Sequence, residues 1–146
     1  MVNERQFLIS AGIVLALDAL TKLLIVIFQP NFKLLPFFSV IYVKNTGAGF
    51  GILKDYNVLL IFVSLIVLYF IYKYYKKIPN AETFAFALIS GGIVGNLMDR
   101  IFRGYVVDFL DFFIGTNHWP AFNIADSCLV IGVCLLLYYN WKTTSS

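Results

Sequence analysis

Residues 7–28 read FLISAGIVLALDALTKLLIVIF, an apolar run of 22 residues broken by Asp18, Thr21 and Lys22. Wound as a helix it is roughly 33 Å long, which matches the hydrocarbon core of a bilayer. A cleaved signal peptide would have an unbroken apolar centre with a soluble domain behind it. Here charges interrupt the run, and three more apolar runs follow, at residues 58–72, 84–98 and 122–139. The chain is therefore expected to be an all-α membrane protein with four transmembrane helices, in a single domain over residues 1–146.

Composition points the same way. Hydrophobic residues make up 60% of the chain and charged residues only 13%, against about 25% charged in soluble domains. With a mean hydropathy of +0.83, too little polar surface exists to cover a water-soluble fold. The net charge of +3 is small and scattered, which excludes the basic stripe that nucleic-acid binding needs. Cys128 and Cys134 fall about 240° apart around one helix and cannot pair with each other, so both thiols are expected to be buried structural groups. With one histidine, His118, the chain lacks the ligands for a zinc or haem site.

Orientation follows from the basic residues. Lys73, Lys76 and Lys77 form the densest cluster and should face the cytoplasm, with both termini. The loops near residues 29–57 and 99–121 then face outward. The first of these, Leu34 to Leu53, has β-branched and aromatic residues with Gly47, Gly49 and Gly51 in its middle, the pattern of short strands around a turn, and is expected to be a small extracytoplasmic β-sheet on the membrane surface. The second holds Val106-Val107-Asp108-Phe109-Leu110-Asp111-Phe112-Phe113, which suits a short interfacial helix or a strand.

Ionisable residues in an apolar chain are expensive, about 2.5 to 3.5 kcal/mol each at a helix centre. Asp18 and Lys22 are spaced i, i+4 and can neutralise each other. In Gly91-Gly92-Ile93-Val94-Gly95-Asn96-Leu97-Met98-Asp99-Arg100 the small residues admit a neighbouring helix, while Asn96 and Asp99 share a face. Asn123 and Asp126 match a capping box at the start of the fourth helix, a purely structural role. The stretch around Gly47 has no GK[ST] and no βαβ context, so it is not a nucleotide loop.

On this topology Asp18, Asn45, Asn96, Asp99, Arg100, Asp108, Asn123 and Asp126 all lie toward the outer half of the membrane, where one pocket could gather them. No nucleophile has a base beside it. Two carboxylates in a low-dielectric site, by contrast, cannot both ionise easily, and such a pair holds an acid and a base at once without a metal or other cofactor. By composition alone, Asp111 is as good a member as Asp108.

Five motifs, Asp18-Ala19-Leu20-Thr21-Lys22, Asn45-Thr46-Gly47-Ala48-Gly49-Phe50, Gly91 to Arg100, Val106-Val107-Asp108-Phe109 and Phe122-Asn123-Ile124-Ala125-Asp126, together resemble the bacterial lipoprotein signal peptidases, or signal peptidases II, in family order over residues 18–126. Gly49 departs from the alanine common there. The resemblance implies an intramembrane aspartyl endopeptidase of the bacterial cell membrane, active toward the outer face. Its substrates would be diacylglyceryl-modified prolipoproteins, cut just before the lipid-modified cysteine. It implies Asp108 and Asp126 as the catalytic pair. Asp18, Lys22, Asn45, Gly47, Asn96, Asp99, Arg100 and Asn123 would support it or bind substrate. It further implies contact with membrane lipid, inhibition by globomycin-type cyclic peptides, and action as a monomer without cofactor. Phe109, Phe112 and Phe113 are expected to flank the substrate's way in, and the outer loops to move around it on Gly47, Gly49 and Gly51.

Two other classes compete. A small ion transporter would use Asp18, Lys22 and Asp126 as a relay, but the 58–72 run offers only Ser64 and tyrosines to continue it. A lipid phosphatase would need more arginine, histidine or metal-binding carboxylates than Arg100, Arg103 and His118 supply.

Overall fold

Four long helices and a four-stranded antiparallel sheet make up the computed structural model, which describes residues 1–47 and 56–144. In chain order they are α1 (Glu4–Phe28), β1 (Phe32–Leu35), β2 (Phe38–Asn45), α2 (Asn57–Tyr74), α3 (Thr83–Arg103), β3 (Val106–Ile114), β4 (Asn117–His118) and α4 (Ile124–Thr144). Two single 3₁₀ turns, Tyr75–Lys77 and Asn80–Glu82, join α2 to α3. All four helices are long and apolar enough to cross a membrane. The third runs five residues past the apolar limit at Met98, because Asp99, Arg100 and Arg103 are held by the protein.

Packing centres on α3. Its sequence is poor in bulk, with Ala85, Ala87, Ser90, Gly91, Gly92 and Gly95 all buried. In lipid, helices gain little from hiding apolar surface and associate where small residues let backbones approach. A side chain added at Gly91 would lie 2.8 Å from Val14 Cβ of α1, and one at Gly92 would lie 2.5 Å from the Ala125 carbonyl oxygen of α4. One glycine thus seats each neighbour. By contrast α2 has no buried residue and turns most of its surface outward.

Gly104, at φ +77°, ends α3 in the left-handed conformation that glycine adopts without a Cβ penalty. Two residues later the chain enters β3, and here the expectation of a short interfacial helix is corrected: residues 106–114 are a strand. Val106 and Val107 are β-branched, and the strand gains partners on both sides, β2 with Asn45 opposite Val106 and Val43 opposite Asp108, and β4 with His118 opposite Phe113. The order is β1-β2-β3-β4. Val107 and Phe109 pack against Ile25 of α1, which ties sheet to helices.

The strands expected in the first outer loop are joined by a turn ahead of the glycines. The β1–β2 turn is at Pro36-Phe37, and β2 ends at Asn45, before Gly47. Gly49 and Gly51, and the loop motion expected of them, lie outside the described residues.

The α3 contacts make a direct prediction. Gly92→Ala should lower the unfolding stability of the purified protein by about 1 to 3 kcal/mol, the usual cost of overpacking. Gly12→Ala, with nothing within 4 Å of the added carbon, should not lower it. Equal melting temperatures for the two variants in detergent would contradict this packing.

Candidate active site

The end of α3, the start of β3 and the first turn of α4 meet beside β2, and there the structure gathers all ten polar or glycine positions named from the sequence. They form two connected layers, one an ion cluster between helices and the other a pair of carboxylates facing a cavity.

In the first layer Lys22 is 1% exposed. Its Nζ lies 2.7 Å from Asp18 Oδ2 and 3.2 Å from Asp99 Oδ2, and donates to Asn96 Oδ1 at 2.9 Å. The i, i+4 pair with Asp18 is therefore formed, but it is part of a cluster joining α1 to α3. Asp99 also meets Arg103 one turn on and accepts the Val107 amide at 3.0 Å. Asp18 accepts the Ala125 amide of α4 at 3.0 Å. Two acids and two bases balance, as a buried cluster must.

In the second layer Asn123 takes a double role. Its Oδ1 caps α4 by accepting the Asp126 amide at 2.9 Å, while Asp126 Oδ2 accepts the Asn123 amide at 3.3 Å. The capping box is present. The same Asn123 turns its Nδ2 to Asp108 Oδ1 at 2.7 Å. Asp108 Oδ2 accepts from Asn45 Nδ2 at 2.8 Å, and Asp126 Oδ1 accepts from Asn96 Nδ2 at 2.7 Å. The side chains that cap α4 therefore also contact the carboxylates beside the cavity. The cap fixes the carboxylate that the cavity uses.

Asp108 and Asp126 line one cavity of about 580 Å³, with Asn45, Asn96 and Arg100 on its polar side. Arg100 crosses that side, donating from Nη2 to the Gly47 carbonyl at 3.1 Å, and Gly47 in turn donates its amide to Asn45 Oδ1 at 2.9 Å. Burial, and then the neighbouring Asp126 carboxylate, push the Asp108 carboxyl up to about 7, against the pull of the Asn45 and Asn123 donors. It can therefore change protonation near neutrality. Among the described residues no three His, Cys, Asp or Glu side chains are arranged to hold a metal ion.

Residues 10–142 match the family model for signal peptidase (SPase) II. The chain belongs to that family. It is 42% identical over 139 residues to the lipoprotein signal peptidase of Thermodesulfovibrio yellowstonii, covering 92% of this chain and 93% of that one. With the enzyme of the same name from Halothermothrix orenii it shares 43% over 136 residues, 89% and 91% of the two chains. A bacterial membrane enzyme solved by the in meso method at 2.3 Å superposes with a TM-score of 0.90 at 32% identity, covering 99% of this chain and 92% of the other. As a signal peptidase II family member with four spans, the chain is a peptidase and a multi-pass membrane protein.

Several expectations change on this family scaffold. Asp111 is separated from Asp108 by an odd number of strand positions, so the two point to opposite faces. It does not line the cavity of Asp108 but pairs with His118, 2.9 Å away. Phe109 is buried against Ile25 and Val107 rather than rimming the way in, while Phe112 and Phe113 line an aromatic hollow that shares Trp119 and Phe122 with the cavity. Cys134 is exposed and Cys128 only half-buried, so neither is the buried structural thiol expected. The wall formed by Trp119, Pro120, Ala121 and Phe122 was not anticipated. Its one sequence signal is its position immediately before the Asn123 cap.

Because Asn45 donates to the ionised form of Asp108, Asn45→Ala should raise the pH at which that carboxyl titrates above about 7. The Asp108 carboxyl band, followed by infrared difference spectroscopy against Asp108→Asn, measures it. A titration that stays put or moves down would refute the arrangement.

Proposed function

We propose that the chain is an intramembrane aspartyl endopeptidase that removes signal peptides from diacylglyceryl-modified prolipoproteins, cutting before the lipid-modified cysteine, with Asp108 and Asp126 as the catalytic pair. The observation that carries this reading is the convergence of those two carboxylates, from a strand and a helix, on one cavity and on the shared Asn123, whose side-chain Nδ2 donates to Asp108 and whose backbone amide donates to Asp126. The names of the relatives supply the substrate class.

The chemistry comes from the pair. Two carboxylates on one cavity do not ionise together readily, so near neutrality one is protonated and one is not. The ionised member takes a proton from water as the oxygen attacks the scissile carbonyl, and the protonated member gives its proton to the carbonyl oxygen. When the tetrahedral intermediate collapses, the C–N bond breaks and a proton passes to the leaving amine. Asn45, Asn96 and Asn123 hold the carboxylates. Arg100 and Gly47 shape the polar side, and Lys22, Asp18 and Asp99 hold the helices that carry them.

A substrate anchored by two acyl chains has to be met in the plane of the membrane. The cavity suits this, with Leu129, Val130 and Ile131 of α4 on its apolar side. Asn57, at the start of α2, bonds the Arg100 carbonyl, so α2 begins at the sheet end and Lys73, Lys76 and Lys77 lie at the other. The positive-inside rule then assigns the termini to the cytoplasm and the cavity to the outer leaflet of the cell membrane. In this reading the protein acts as a monomer without cofactor, and globomycin-type peptides block the cavity.

Cleavage of a diacylglyceryl-modified prolipoprotein by the purified protein tests the proposal. Asp108→Asn and Asp126→Asn should each reduce kcat by at least about 10³-fold, or ~4 kcal/mol of transition-state stabilisation. Asp111→Asn, outside the cavity, should retain turnover. Cleavage by either of the first two variants at near wild-type rate would remove the pair from the mechanism.

A further inference from the structure

Among the described residues, Asp111 and His118 are the one buried acid and the one histidine that the catalytic proposal leaves unused. Asp111 is buried on β3, on the face away from the cavity, and a carboxylate is not buried cheaply without a partner. Its two oxygens lie 2.9 and 3.0 Å from His118 Nδ1. The His118 ring also stacks on Phe113, with centroids 4.9 Å apart, and the Lys33 ammonium sits 4.8 Å from the Phe113 centroid. His118 is thus held from two sides.

Immediately after His118 the chain forms the cavity wall. Residues 119–122 cross from β4 to the α4 cap as a short strap, and all four line the cavity. Backbone hydrogen bonds hold its ends: the Trp119 amide donates to the Phe112 carbonyl at 2.7 Å, and Phe122 exchanges bonds with Leu110 at 2.8 and 3.1 Å. Between them Pro120 has no amide hydrogen to donate. The path of the strap therefore depends on how firmly its first end is set, and there the charge-capable pair of His118 and Asp111 adds a side-chain anchor.

We propose that Asp111 and His118 are positioning residues: their contact sets the strap over the cavity and so determines how tightly the peptide substrate is held, without touching the reacting atoms. This rests on the cavity being the peptidase site. One strand then carries both parts, with Asp108 toward the cavity and Asp111 anchoring the wall that faces it.

The test compares wild type, His118→Phe and His118→Asn in the full chain. Phenylalanine keeps the stack on Phe113 and loses the hydrogen bond, whereas asparagine places an amide donor near the former Nδ1. With a diacylglyceryl-modified prolipoprotein, His118→Phe should raise KM about tenfold while kcat stays within about threefold, and His118→Asn should recover most of the loss. In a Trp141→Phe background, Trp119 is the only tryptophan. Its emission should shift and become more quenchable by acrylamide in His118→Phe, and revert in His118→Asn. An unchanged KM overturns the proposal whatever the fluorescence shows, as does a loss that asparagine fails to rescue. A wild type that does not cleave refutes the peptidase reading and the positioning role with it. The fluorescence series, needing no activity, then still reports whether the pair holds the strap.

Discussion

A lysine ammonium buried between apolar helices must be neutralised where it stands, and the structure is arranged around that requirement. Lys22 reaches from α1 to Asp99 and Asn96 of α3, while its helical neighbour Asp18 takes the first-turn amide of α4. Three helices are thereby registered by one set of polar contacts. Apolar surface alone sets no register in lipid, because sliding one helix past another exchanges lipid contacts for equivalent ones. The cluster removes that freedom, since a displaced helix would leave a buried charge unpaired.

Close approach makes the cluster possible. Gly95 stands where a side chain would come within 2.6 Å of Asp18 Oδ2, and Gly91 and Gly92 bring α1 and α4 near enough for short side chains to span the gaps. The dependence then runs outward. Asp99 accepts the Val107 amide and fixes the start of β3, and Asn96 passes from Lys22 to Asp126. Of the two carboxylates proposed for catalysis, Asp126 is thus held by an amide that Lys22 itself holds, and Asp108 by Asn123, which donates to that same Asn96. A hydrolytic pair needs that stiffness, since small displacements between reacting groups are costly.

Much of this was legible in the chain. Four apolar runs, the glycine-rich face of the third and the i, i+4 spacing of Asp18 and Lys22 depend only on helical periodicity and the cost of charge in lipid, so all appear in the structure, with the third helix extended beyond its apolar run. The family followed from motif order, and the capping box from Asn123 and Asp126. Both are local patterns.

What only the tertiary structure decided was non-local. Residues 106–114 satisfy a helix or a strand equally by composition, and pairing with β2 and β4 made them a strand. In a helix, Asp108 and Asp111 would share a face; in a strand they cannot, and this divides one carboxylate for the cavity from one for His118. Phe109 went into the core for the same reason, and the strap at residues 119–122 became a cavity wall because both its ends bond to β3. Periodicity tells which side of an element is apolar. Which element lies opposite is settled only when backbone donors and buried charges find partners far away in the chain.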